Sequence, residues 1–264
     1  MVRAAVGFAR LTLRNLAAGK RAWAAGFLLL LPPLLALLIA GTGRHAEAVK
    51  VYQGIVFQFS LWFMIYLLAL IFGIALSSGE IEEGTVGYLY LGAVPKWLIV
   101  LIQAGVASLV LTALLFGSLL LTALAASLGK GGLPRLWHDV GVCTMIGGTG
   151  ITVALSFYMT CGLLFRSPLG ALAAAVIPTF FCELLVTMFP IRFAPWTVTN
   201  NLRSLLLSHL FDGRRVQPHF KYVVNFQLPE YGAAAMHLSV LAGLFLVTAM
   251  IAAMNRSIEG KEAK

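Results

Sequence analysis

Long apolar runs, separated by short polar stretches, dominate the chain. Six of these runs reach the roughly 20 residues that a helix needs to cross a hydrocarbon layer of about 30 Å: 22–41, 51–77, 97–128, 138–165, 168–189 and 233–254. The third holds 32 residues, or about 48 Å as a straight helix, so it tilts or projects beyond the bilayer. Pro32-Pro33 in the first run removes two backbone donors and predicts a kink. Arg166, Ser167 and Pro168 separate the fourth and fifth runs. A residue before proline is biased away from helix, so two spans are expected there.

Composition agrees with this pattern. Hydrophobic residues make up 60% of the 264 positions and charged residues 11%, against about 45–50% and about 25% in a soluble domain. A soluble globular enzyme and a disordered chain are both excluded. The expected fold is an all-α integral membrane protein with six transmembrane helices, forming one transmembrane unit over 1–264. The net charge of +9 points to an anionic membrane surface, not to nucleic acid. Cys143, Cys161 and Cys182 all fall in apolar runs and read as small hydrophobes without a disulfide framework.

Lys and Arg divide ten to nine between the two sides, which sets no orientation. The flanks of the first span read five against two, and by the positive-inside rule this places both termini in the cytoplasm. Three segments outside the spans carry further information. In 2–21, Arg3, Arg10, Arg14 and Arg21 fall within roughly a 40° arc at about 100° per residue, with Ala5, Phe8, Ala9 and Leu16 broadly opposite. Such a stripe predicts an interfacial helix or a plain positive-inside anchor, cytoplasmic either way.

Between the second and third spans, Glu80, Glu82 and Glu83 lie within four positions, with Ser78 as a candidate cap. Val86, Leu89 and Tyr90 recur at helical spacing before Pro95, which predicts a short amphipathic helix over 79–94. The alternative is an acidic loop kept soluble by its charge. In the long segment 191–232, Leu202, Leu205, Leu206 and Leu210 predict a helix lying on or dipping into the outer leaflet, capped by Thr199 or Asn200. A partly ordered external loop is the other reading. The chain closes with a charged tail, 255–264.

The string Glu80-x-Glu82-Glu83-Gly84-Thr85, then Leu89 and Ala93-Val94-Pro95 before a new span, resembles the cytoplasmic segment of bacterial ABC-type exporter permeases, the ABC type 2 family. The basic start, the six spans and the long segment before the last span are similar in kind. Where family members often carry Gly-Lys near the start of the third span, this chain has Ile102-Gln103. The resemblance implies a permease subunit of the bacterial cytoplasmic (inner) membrane, paired with a second permease copy of the same or a related chain. It also implies that 79–94 is a coupling helix docked on a separate ABC ATPase subunit, through Glu80, Glu82, Glu83, Gly84, Thr85, Leu89 and Pro95. ATP and Mg would bind that partner, with no cofactor on this chain. Short helices before the last span would close the exit.

No residue pattern points to catalysis. No phosphate-binding Gly-x-x-x-x-Gly-Lys-[Ser/Thr] motif occurs, and Gly129-Lys130-Gly131-Gly132 lacks the hydroxyl. His209, Asp212 and His219 match no standard metal spacing. Cys143-x-Met145 and Met159-x-Cys161 place residues two apart on a helix, hence on different faces. Gly147, Gly148 and Gly150 predict tight helix packing. Glu183 stands out, since a charge at mid-span costs about 2.5–3.5 kcal/mol on insertion scales. It either lines a substrate path or subunit contact, or it bonds a hydroxyl such as Thr149, Thr152 or Ser156. The rivals to a transport subunit are an ATP-independent channel or transporter and, less favoured, an intramembrane enzyme using Glu183.

Overall fold

The structure, a computed structural model, describes residues 2–17, 20–41, 48–79, 95–128, 133–165, 167–185, 197–210 and 230–255. These residues are helical throughout apart from short caps and turns. In chain order the elements are α1 (Val2–Ala17), α2 (Lys20–Gly41), α3 (Ala48–Ile55), π1 (Val56–Met64), α4 (Ile65–Ile74), π2 (Ala75–Gly79), α5 (Lys96–Ser127) and α6 (Leu133–Leu164). They are followed by α7 (Pro168–Pro178), π3 (Thr179–Leu185), α8 (Val198–Leu210) and α9 (Tyr231–Asn255).

Five helices among the described residues are long and apolar enough to cross a membrane: Lys20–Gly41, Ala48–Ser77, Lys96–Ser127, Leu136–Leu164 and Tyr231–Asn255. Of the expected span 168–189, residues 168–185 are described and are helical, α7 running into π3 as far as Leu185. Pro178 offers no N–H to the preceding turn, and the helix widens into π geometry directly behind it. Large apolar side chains such as Phe27, Leu38, Leu109, Leu169 and Met236 point outward. Water does not tolerate such a surface, and lipid does.

Helix α6 is the centre of the bundle and packs against α4, α5, α7, α8 and α9. It is helical from Leu133, ahead of the expected 138. Glycines allow the close contacts. A Cβ on Gly147 would meet Leu115 Cδ2 at 2.5 Å, one on Gly148 would meet Thr112 at 2.9 Å, and one on Gly150 would meet Leu202 at 2.6 Å. The packing expectation for these glycines therefore holds.

Helix α2 passes through Pro32-Pro33 without a break. Pro33 cannot donate to Leu29, four residues earlier. The freed Leu29 carbonyl instead accepts from the Ser118 hydroxyl of α5 at 2.6 Å. A hydroxyl on a neighbouring helix thus satisfies the backbone group that proline exposes in an apolar setting.

The break between α6 and α7 forms as the sequence predicts. Ser167 is extended, its side chain accepts from Gly170 N at 3.0 Å, and Pro168 takes the first helical position. Helix α1 packs on α5, with Thr12 and Leu16 buried and Arg10 and Arg14 exposed. The described part of α1 runs to Ala17, and Arg21 lies in α2, described from Lys20.

Candidate functional site

Helix α8 is where structure and sequence pattern part most clearly. A helix lying on the outer leaflet would bury one face, but residues 197–207 are buried on every side, with Asn200, Asn201, Arg203 and Ser204 among them. The cause is packing. α8 sits against π1, α6 and α9, with Leu202 fitted into the space that Gly150 leaves. A fully buried helix with polar side chains has to satisfy them internally.

The cap of α8 is Thr197, two to three residues ahead of the expected Thr199 or Asn200. Its hydroxyl accepts from Asn200 N at 3.3 Å, and its carbonyl accepts from Asn201 N at 3.2 Å and Asn201 Nδ2 at 2.7 Å. Thr199 and Asn200 are first-turn residues.

The leading N–H groups of α8 are taken by Glu183. Val198 N donates to Glu183 Oε1 at 2.9 Å, and Thr199 N donates to Oε2 at 2.8 Å. The Tyr66 hydroxyl donates to Oε2 at 2.8 Å, and Tyr66 Oη lies 2.9 Å from Thr199 Oγ1. With the Tyr66 proton committed to Glu183, the threonine hydroxyl is the donor in that second bond. In each of these three bonds Glu183 is the acceptor, the role of a carboxylate. A negative group at a helix N-terminus is also favoured by the helix dipole. An acid that is costly in the middle of an apolar helix thus becomes the cap of a second helix.

The hydroxyls expected to partner Glu183 donate elsewhere. Thr149 donates to Ile146 O at 2.6 Å, Thr152 to Gly148 O at 2.9 Å and Ser156 to Thr152 O at 2.8 Å, all within α6. Tyr66 comes from a different span, 117 residues away, and nothing local in the sequence marks it. One turn along α8, the Arg203 guanidinium lies over the Phe57 ring of π1, 5.2 Å from its centroid. This brings a cation into the same buried neighbourhood.

Beside Glu183 is a cavity of about 200 Å³ bordered by Tyr66, Phe157, Tyr158, Thr179, Cys182 and Phe245. Tyr158 Oη is 3.0 Å from Thr179 Oγ1, which ties α6 to π3 along its wall. A second polar pair lies in α3 and α6, where Gln53 Nε2 donates to the buried Asp139 at 3.0 Å. No sequence motif points to Asp139, though an acid inside a long helical run is a visible signal.

Of the expected coupling residues, Glu80, Glu82, Glu83, Gly84, Thr85 and Leu89 lie outside the described residues. Pro95 is described and caps α5 in an extended conformation, its carbonyl accepting from Leu98 N at 3.0 Å and Ile99 N at 3.3 Å. Ser78 lies in π2, the last described turn of the second span. Arg3 lies in α1, and Arg10, Arg14 and Arg21 are exposed. Cys143 is buried and Met145 exposed, on opposite sides of α6 as their spacing predicts, while Met159 and Cys161 are both buried. His209 stands edge-on to Tyr231 at 5.1 Å. Among the described residues no group of three or more His, Cys, Asp or Glu is placed to hold a metal ion.

The chain matches no protein-family model and no curated protein.

Proposed function

We propose that this chain is the membrane-spanning permease subunit of an ATP-driven ABC exporter. Two copies, or two related chains, form the substrate path, and separate ATPase subunits bind below. The observation that carries this reading is the placement of the acidic Glu-x-Glu-Glu-Gly-Thr string. It falls between π2, the last described turn of the second span, and α5, which Pro95 caps. A segment strung between two long helices passes a partner's movement to both, and its carboxylates meet basic residues on that partner. The basic helix α1 and the buried α8 ahead of the last helix add to this support.

In this reading α7 and π3 form the fifth of six spans, both termini are cytoplasmic, and the protein sits in a bacterial inner membrane. ATP binding closes the ATPase pair, the segment 79–94 moves with it, and the path opens outward. No covalent chemistry takes place on this chain. The intramembrane-enzyme reading is weaker, because both oxygens of Glu183 already accept backbone N–H groups of α8.

The test is co-purification from native membranes in mild detergent. A stoichiometric ATPase chain should elute with the tagged protein and be lost from a Glu82→Lys, Glu83→Lys double variant. Unchanged co-elution and ATP-dependent transport in that variant would sink the proposal.

A further inference from the structure

The chain holds no acid before Glu47, and the structure shows where the cations of that stretch point. On α1, which packs on α5, Thr12 and Leu16 are buried while Arg10 and Arg14 are exposed. At 100° per residue the two arginines lie roughly 160° from the buried pair. Arg3 shares their register. The basic stripe is therefore turned away from the bundle.

Helix α2 continues this surface. α2 and α5 begin at the same membrane face, because one span, Ala48–Ser77, lies between them. Lys20 and Arg21 are exposed in the first turn of α2, just ahead of Trp23, which is 84% exposed. Trp97, 41% exposed, follows the Pro95 cap of α5. Tryptophan is enriched where hydrocarbon meets headgroups, so these two rings set the headgroup depth, and Lys20 and Arg21 fall at it. On α1, exposed Val6 and Leu13 flank the stripe on one side and exposed Leu11 on the other. An arginine row edged by apolar side chains suits the boundary between headgroups and acyl chains better than open water.

Among the described residues no carboxylate pairs with Arg10, Arg14, Lys20 or Arg21. Asp139 is engaged with Gln53, Glu183 with α8, and Glu230 leads into α9. Cations left unpaired at headgroup depth attract anionic lipid, over a distance of about one Debye length.

We infer that Arg10 and Arg14 of α1, with Lys20 and Arg21 of α2, form a binding surface selective for the headgroups of anionic phospholipids. α1 is then held between α5 on one side and lipid on the other. The inference goes beyond the exporter reading and does not need it, since only the membrane-spanning helices enter the argument.

The experiment is native mass spectrometry of the detergent-purified full chain with two lipids of identical acyl chains, phosphatidylglycerol and phosphatidylcholine. Phosphatidylglycerol should bind roughly tenfold or more tightly than phosphatidylcholine. The Arg10→Gln, Arg14→Gln double variant should lower phosphatidylglycerol affinity by up to about twentyfold, about fivefold for each arginine. Phosphatidylcholine binding should stay as it is. Both side chains are exposed, and the Arg10→Lys, Arg14→Lys variant, which keeps the charge, should keep the preference. Lys50→Gln, an exposed cation at the start of the second span and so on the opposite face, should leave it unchanged.

Equal affinity for the two lipids overturns the inference. So does a preference that survives Arg10→Gln, Arg14→Gln, or one that Lys50→Gln reduces as much. If the glutamine variant loses a co-purifying protein while its lipid preference persists, the surface docks protein and the inference also fails.

Discussion

A methyl group at position 73 has nowhere to go. A Cβ there would lie 2.7 Å from Tyr158 Cβ and 3.3 Å from the Leu155 carbonyl, one of them main chain and unable to swing aside. Gly73→Ala should therefore cost about 1–3 kcal/mol by overpacking. At Gly117 a Cβ would meet nothing within 4 Å, so alanine should be accepted there and gain up to about 1 kcal/mol from helix propensity. Thermal unfolding of both variants in the same detergent checks the contrast, and equal midpoints would contradict it. Both glycines read alike in the sequence, because each lies in an apolar run. Only the opposing helix distinguishes them. Glu183 shows the same limit from the other side. Its cost was visible from its position in an apolar run, but its partners were not, since Tyr66 and the N–H groups of α8 reach it through tertiary packing.

At the level of the element, α8 has 13 residues, a length that is marginal for an isolated helix. Packing on three neighbours and a cap at each of its first N–H groups compensate. Glu183→Ala removes the carboxylate and leaves the Val198 and Thr199 N–H groups buried without it. Amide hydrogen exchange over 198–207 should then rise by an order of magnitude or more, matching about 1–3 kcal/mol for orphaned buried donors. Exchange in the middle of α5 should stay as it is. Uniform acceleration along the chain would mean that Glu183 supports the whole bundle and not this helix.

The element boundaries show which signals are local. Ser167-Pro168 was legible because a cap and a first-position proline act on their own neighbours. The cap of α8 was not, because Thr197, Thr199 and Asn200 are all competent, and burial chose among them. The π turns leave no mark in hydrophobic spacing, since apolar residues fill every face of these helices.

For the whole molecule, the number of crossings sets the side of the C-terminus. Five long helices alone would leave the ends on opposite faces of a membrane, and adding α7 with π3 as a further span returns both to one side. Reporter fusions active only in the cytoplasm should therefore signal from both termini, as the proposed architecture requires. Signal from the N-terminal fusion alone would exclude six crossings. The all-helical membrane character followed from composition and run length. The identity of the central helix did not, because α6 is less hydrophobic than α5 or the second span. It holds the centre through its glycines and hydroxyls, which permit close approach.

The bond from Ser118 to the Leu29 carbonyl makes two distant positions answerable to each other. Proline at 33 creates the need that the serine meets. In a double-mutant cycle, Ser118→Ala should be costly beside Pro33, by about 0.6 kcal/mol and at most about 1.7 kcal/mol, the range of such bonds between membrane helices. It should cost close to nothing once Pro33→Ala restores the missing N–H. The hydroxyl is thus a conditional requirement, and selection would release it as soon as the ring that made it necessary was lost.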